Sequence, residues 1–375
     1  HETRKGEMAA LHEVPFGLYY GGVDTTPLFV MLAGAYAERT HDVAFIDSLW
    51  PALVAAMDWI ERSCDRHPDG FLTYAPAMKG GLVNQGWKDS DDSVFHADGV
   101  IPAGPIALIE VQGYVYAALI AMARQAERRG HHGDGARWRA RAGAMRTAVE
   151  ARFWDEAMGT YGIALDGDNA LCRVRSSNVG HLLYVGLPRR QRALKSIRLL
   201  RSAAFDGGWG VRTLALGEAR FNPMSYHDGS VWPHDVAISA AGMARYGERA
   251  DAVRLLGETF EAAVHFGMRL PELFCGFPRH TGEPPIAYPV ACLPQAWAAG
   301  SVFMMLQACL GLRIEARRGE VRIENPHLPD GVDRMTIHAL DVGGDRIDLG
   351  FERIGQRVVA FRAGGTRKVR VLAKV

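Results

Sequence analysis

The chain has 375 residues, 48% of them hydrophobic, and a formal charge of +1. It is long enough for one large and one small domain with a sizeable core. The near-zero charge offers no electrostatic attraction for nucleic acid or anionic membrane surfaces. Five cysteines, an odd number with no metal-ligand spacing between them, argue against a disulfide framework and for a reducing, cytoplasmic setting.

Helical periodicity dominates most of the chain. Thr25 to Glu38 and about Val43 to Arg62 form a first pair, followed by a long loop from Cys64 to about Ala103. A helix from about Pro105 to Ala126 is nearly free of charge, with only Glu110 in its interior before Arg124. A polar amphipathic helix, about Asp134 to Phe153, comes next. The alternation repeats as Ser176–Val185 with Arg189–Leu200, and as Ser230–Tyr246 with Arg249–Phe266, and ends with Ala291–Leu310. Apolar helices must be buried on most sides, and amphipathic helices can jacket them. A ring of inner helices inside outer helices satisfies both, with long loops at one end carrying function. The stretch from Ile286 to Leu312 lacks charge and is long enough to span a bilayer. Pro289, Pro294, Gln295, Gln307 and Gly300-Ser301 point instead to a helix buried on all sides. After Gly311 the pattern changes to period two: residues 346–351, 358–361 and 369–372 read as strands of a small antiparallel appendage. Gly343-Gly344 and Gly364-Gly365 are its turn candidates. The expected division is therefore 1–311 and 312–375.

The chemistry-bearing residues lie in loops ahead of the apolar helices. Asn84 to Ser93 crowds Asp89, Asp91 and Asp92 beside Trp87. An indole partly desolvates a carboxylate and raises its pKa, as a general acid requires, although an Asp/Ser-rich turn or cap would use the same residues. Asn222 to Asp235 gathers Tyr226, His227, Asp228, Trp232, His234 and Asp235, a density of aromatic and hydrogen-bonding groups that suits a sugar pocket. His227 and His234 lack metal-ligand spacing, so no metal or cofactor is expected. Glu272 lies between Pro271 and the apolar Leu273-Phe274-Cys275 run, a setting for a paired or functional carboxylate. Asp24, ahead of Thr25-Thr26-Pro27, is placed to cap a helix or to hold a sugar hydroxyl.

The segments YYGGVDTTPLFVMLAGAY, NQGWKDSDDSVFHADG, YHDGSVWPHD and LPELFCGFPRH resemble the amylo-α-1,6-glucosidase (glycogen debranching) family of six-hairpin glycosidases. The resemblance spans about Glu2 to Leu312. It implies an all-α (α/α)6 toroid and inverting hydrolysis of an α-glucan or oligosaccharide. By motif it implies Asp89 as general acid, with Asp91 as the alternative, and Glu272 as general base. It puts Trp87, Asp24, Tyr226, His227, Asp228, Trp232 and His234 in segments lining the sugar pocket. About nine helices are legible against the six pairs of the full toroid, so a ring incomplete at its N-terminus is expected. Two further readings stay open: a trehalase-like or mannosyl-glycerate-type hydrolase, and a non-catalytic carbohydrate-binding protein.

Overall fold

A computed structural model describes residues 2–3, 18–19, 21–75 and 81–374. Tyr20 of the first motif and residues 76–80 of the long loop lie outside them. Nine α-helices are described: α1 Thr25–Thr40, α2 Val43–Cys64, α3 Ile109–Arg128, α4 His132–Arg152, α5 Asn178–Val185, α6 Arg190–Leu200, α7 Pro233–Arg245, α8 Arg249–His265 and α9 Ala296–Cys309. Each expected helix is present, with ends moved by up to five residues. The four-residue shift at the start of α3 has a local cause: Tyr74 pairs with Ile106 and Ala107–Leu108 forms a short strand, so α3 starts only at Ile109.

The odd-numbered helices pack in succession, α1 on α3, α3 on α5, α5 on α7 and α7 on α9. The even-numbered helices cover them: α2 on α1, α4 on α3, α6 on α5, and α8 on α7 and α9. This is the inner and outer layering of an (α/α) toroid. The sequence of α4 explains its place. Gly135, Trp138, Ala142, Met145 and Val149 repeat at three- and four-residue intervals and are buried. Arg137, Arg139 and Arg141 lie between them and pair outward with Glu61, Glu127 and Asp65. Inner α5, by contrast, buries all but one of its residues.

Inner helices approach closely where glycine permits. A Cβ on Gly242 of α7 would lie 2.6 Å from the Leu183 Cβ and 2.8 Å from the Tyr184 backbone nitrogen. On α5 a Cβ at Gly180 would meet the Ser239 hydroxyl at once.

α1 and α9 end the inner arc, and no comparable packing joins them among the described residues. The segment expected to be buried on all sides is not. Only Ala298, Ser301, Met305 and Cys309 of α9 are buried, while Phe303 is 75% exposed and Val290 77% exposed. Among the described residues the helix has one neighbouring inner helix, α7, so its apolar residues have a partner there on one side. α2 is the described helix long and apolar enough to cross a membrane. Its buried stripe, Ile46, Leu53, Met57, Ile60 and Cys64, faces the protein interior as in an ordinary surface helix.

The C-terminal strands are β1 Leu312–Glu315, β2 Glu320–Glu324, β3 Arg334–Val342, β4 Asp345–Ile354, β5 Arg357–Gly365 and β6 Arg370–Lys374. They have a core of their own around Val321, Ile323, Ile347, Leu349 and Phe351. β3, β4 and β5 form an antiparallel meander, with Gly343-Gly344 as the first turn and both residues at positive φ. The second sheet departs from the expectation. β6 runs parallel to β2, because the chain must cross the meander before returning. Gly364-Gly365 is not a turn but the end of β5, opposite a register shift at Asp348/Leu349.

Replacing Gly242 with Ala tests the helix contact. In an exposed helix this change gains up to ~1 kcal/mol of helix propensity. Here the new methyl meets backbone atoms of α5, and overpacking costs about 1–3 kcal/mol. Urea unfolding should show a net loss of stability; a gain would mean that α5 and α7 separate freely.

Candidate active site

Short backbone ladders bring the motif loops together at the N-terminal ends of the inner helices. Val231 and Phe274 exchange both backbone hydrogen bonds, at 2.9 and 3.0 Å, joining the 222–235 and 270–285 loops. The ladder extends from Val231 to Arg212 and from Phe274 to Ala287. At its edge the two chains nearly touch: a Cβ on Gly276 would lie 1.7 Å from the Gly229 carbonyl oxygen. The Asp-rich loop joins from the other side. The Val23 amide donates to Gln85 O at 3.0 Å, and the Lys88 ammonium donates to Thr213 O at 2.7 Å. Inside this loop the Asn84 amide donates to Ser90 O at 2.7 Å and the Ser93 hydroxyl to Lys88 O at 2.7 Å. The Ser and Asn residues thus do turn work, while Asp89, Asp91 and Asp92 stay exposed.

Trp87 stands at the centre of an aromatic cluster. It stacks on His181 at 5.7 Å and 15°, and meets His227, Trp232 and His234 edge to face. Trp232 does not offer a free ring to a ligand as its sequence setting led us to expect. It is 1% exposed, stacked on His227, with Tyr226, His234 and Trp297 around it. Its indole N–H donates to Tyr226 O at 2.9 Å and Ser230 Oγ at 3.0 Å. His227 and Asp228 are likewise buried. His227 Nδ1 sits 2.7 Å from the Ser90 hydroxyl, which links it to the Asp-rich loop. Burial pushes both His227 and His234 down to about 3, so both rings are neutral at ordinary pH. His234 stacks on Trp297 at 4.1 Å.

The carboxylates fall into two settings. The Asp89 side chain is 51% exposed, with Oδ1 4.0 Å from His227 Nδ1. Partial burial raises its pKa, and the negative charges of Glu272 and Asp91 raise it further. Glu272 therefore lies within electrostatic reach of Asp89, although 182 residues separate them in the chain. Glu272 itself is buried. Its amide donates to Cys292 O at 2.9 Å, and the Cys292 amide donates to Oε2 at 3.3 Å. Burial, then the neighbouring Glu272 carboxylate, pushes the Tyr226 phenol up. Asp24 holds the N-cap position of α1 but makes no side-chain cap bond. Burial, then the charge of Glu110, raises it to about 6, and Asp89 contributes. Asp24, Asp89, Glu272 and Tyr226 thus form one candidate site by their mutual electrostatic influence, with Trp87 beside it and Trp232, His227 and Asp228 buried next to it.

Sequence reasoning did not single out Lys88, Tyr114 or His181. The Tyr114 hydroxyl is 2.5 Å from His181 Nδ1, and His181 Nε2 is 2.8 Å from Asp235 Oδ1. This buried chain backs the face of Trp87. Glu110 carried a signal as the lone charge inside an apolar helix. It is buried, and neither carboxylate oxygen has a hydrogen-bond partner among the described residues.

Residues 20–268 match the family model described as the mannosylglycerate hydrolase MGH1-like glycoside hydrolase domain. The chain belongs to this family. That places it among the six-hairpin glycosidases, as the motifs implied, but on the mannosylglycerate hydrolase side and not specifically with the amylo-α-1,6-glucosidases. No curated protein matches the chain. Similar solved structures include a sialidase at 17% identity and TM-score 0.66, covering 94% of this chain and 32% of that one. The GH78 family rhamnosidase of Bacillus sp. GL1, at 14% identity and TM-score 0.63, covers 94% of this chain and 34% of its own. The GH63 mannosylglycerate hydrolase from Thermus thermophilus, in complex with Tris, has 15% identity and TM-score 0.55 over 74% of this chain and 75% of that one. These likenesses show the shared fold. The chain spans about a third of the length of the first two.

The packing of Trp232 makes Trp232→Ala a stability variant. It should lose about 3–5 kcal/mol in chemical unfolding, as large aromatic-to-Ala changes in cores do. A well-folded Trp232→Ala protein with a raised KM would instead return Trp232 to the sugar-contacting layer.

Asp228 gives a pH test. Burial raises it to about 7, and Oδ2 has no partner among the described residues. The folded state holds this proton more tightly than the unfolded chain does. The resulting stabilisation is full below the unfolded pKa near 3.8 and is lost as pH rises through about 7. Asp228→Asn removes that loss, so its melting temperature relative to the parent protein should be higher at pH 8 than at pH 5. An equal difference at both would mean that the side chain is ionised freely.

Proposed function

We propose that this chain carries the catalytic centre of an inverting glycoside hydrolase acting on a small α-linked glycoside of the mannosylglycerate or trehalose type. Family membership supports the substrate class. The observation that carries the mechanism is the pairing of Asp89 with Glu272, one half-exposed and shifted toward its protonated form, the other buried, bonded by the Cys292 amide and flanked by Tyr226.

The two carboxyls divide the work of the reaction. Asp89 donates its proton to the glycosidic oxygen, which would otherwise leave as a poor alkoxide. Glu272 accepts a proton from water, whose oxygen bonds to the anomeric carbon as the glycosidic bond breaks. The products are a free sugar and a protonated leaving group; Asp89 ends ionised and Glu272 protonated. A water between base and sugar requires the carboxyls to be roughly 6.5–9.5 Å apart. Tyr226 flanks Glu272, and Asp24, which acts electrostatically with Asp89, is a further acceptor for a sugar hydroxyl. Asp91 is the alternative acid; its exposure, without the flanking contact of His227, favours Asp89. The proposal includes a cytoplasmic setting, supported by five unpaired cysteines.

A debranching activity on α-1,6-linked glucan is the second reading, favoured by the segments around Asp24, Asp89 and Glu272 quoted above. Mannosylglycerate, trehalose, maltose and isomaltose, followed by proton NMR, separate the two. We expect turnover of mannosylglycerate or trehalose, with the β-anomer appearing first. Asp89→Asn and Glu272→Gln should each lower kcat by about 10²–10⁴-fold. Release of the α-anomer first would replace inversion with retention, and near-normal activity in either variant would remove that residue from the chemistry.

A further inference from the structure

Asp89 and Glu272 stand on loops far apart in sequence, and a path of hydrogen bonds and short backbone steps joins those loops. It begins one residue before Asp89. Lys88 is 4% exposed, and its ammonium donates to Thr213 O at 2.7 Å while lying 5.1 Å from the Trp87 ring centroid. Thr213 O also accepts from the Ser177 amide at 3.1 Å. The Thr213 amide donates to Ser230 O at 2.9 Å, and its hydroxyl accepts from the Gly229 amide at 2.9 Å. The next residue, Val231, exchanges backbone bonds with Phe274, two residues from Glu272.

Burying an ammonium is costly for stability, by several kcal/mol before compensation. A neutral side chain of similar length would fill the same space without that cost. The charge is compensated at a distance. Burial pushes the Lys88 ammonium down, and Asp235, Asp228 and Glu110 push it back up. Both oxygens of Glu110, and Oδ2 of Asp228 and of Asp235, lack hydrogen-bond partners among the described residues. His181, His227 and His234 complete the titratable surroundings on the Trp87 side. A cation kept in so expensive a position, with its donor aimed at the ladder that carries the other carboxylate, acts as a tether.

We propose that Lys88 is a positioning residue whose hydrogen bond to the Thr213 carbonyl fixes the Asp89 loop at a set spacing from the Glu272 loop. The inference rests on the acid and base roles given above, but the tether can be measured apart from them. Three variants, Lys88→Met, Lys88→Gln and Lys88→Arg, are compared with the parent and with Asp89→Asn. In hydrogen exchange, the 84–93 segment of Lys88→Met should exchange at least about tenfold faster, with α4 unchanged and Lys88→Arg near the parent. With 4-nitrophenyl α-glucoside and α-mannoside as probes, Lys88→Met should lose at least about tenfold in kcat with KM within about threefold. A role in folding alone would lower the melting temperature and leave kcat of the folded protein intact. The tether is overturned if exchange in 84–93 is unchanged, or if kcat stays within about threefold of the parent while Asp89→Asn is inactive. Should Lys88→Met fail to fold, Lys88→Gln, which keeps a donor but no charge, decides by the same readings. If Asp89→Asn stays active while Lys88→Met loosens the loop, the acid assignment has failed and the tether stands.

Discussion

The site depends on one backbone contact, the reciprocal hydrogen bonds between Val231 and Phe274. Neither residue has a chemical role. Their pairing sets Tyr226 and Glu272 in one place, although the first lies ahead of α7 and the second follows α8. A toroid supplies only the ends of its inner helices, and the loops that leave them would spread apart without cross-links. Here the loops form a small irregular sheet among themselves, with Gly276 against Gly229 at its tightest point.

Burial then distributes charge through this loop assembly. His227 and His234, each packed against both Trp87 and Trp232, lie where an imidazolium is unfavourable, so they contribute shape and hydrogen bonds, not charge. Among the neighbouring carboxylates Asp24 and Asp228 are pushed the other way by burial, while Asp235 is held down by its bond to His181. Asp89 escapes full desolvation because it faces outward from its loop, while Lys88, the preceding side chain, points inward. Adjacent positions of the loop thus carry an exposed acid and a buried cation.

Much of the layering was legible in sequence because apolar and amphipathic helices alternate and their stripes are regular, as in α4. The limits of legibility were specific. The uncharged run from Ile286 to Leu312 reads as buried, since sequence gives apolarity but not the number of neighbours a helix has. Asp24 carries every local sign of an N-cap and makes no cap bond. Trp232 and Trp87 look alike in sequence, each in a polar motif; only tertiary packing separates the buried one from the one beside the site. Lys88 was passed over because lysine is normally solvated. The parallel pairing of β6 with β2 is a long-range choice that alternation alone does not encode. Asp89 and Glu272 stand out in sequence through their motifs; that the charge of one acts on the other shows only in three dimensions.

The contact between Gly229 and Gly276 bears on how this scaffold can be re-engineered. Two loops that touch through bare backbone have no side-chain layer in which to absorb a change of length or shape. Randomising one loop while holding the other would mostly yield clashes, because any Cβ at Gly276 meets the opposite carbonyl. The loops from Asn222 to Asp235 and from Leu270 to Pro285 are therefore a single cassette, and transplanting specificity from a homologous enzyme requires moving both in one exchange.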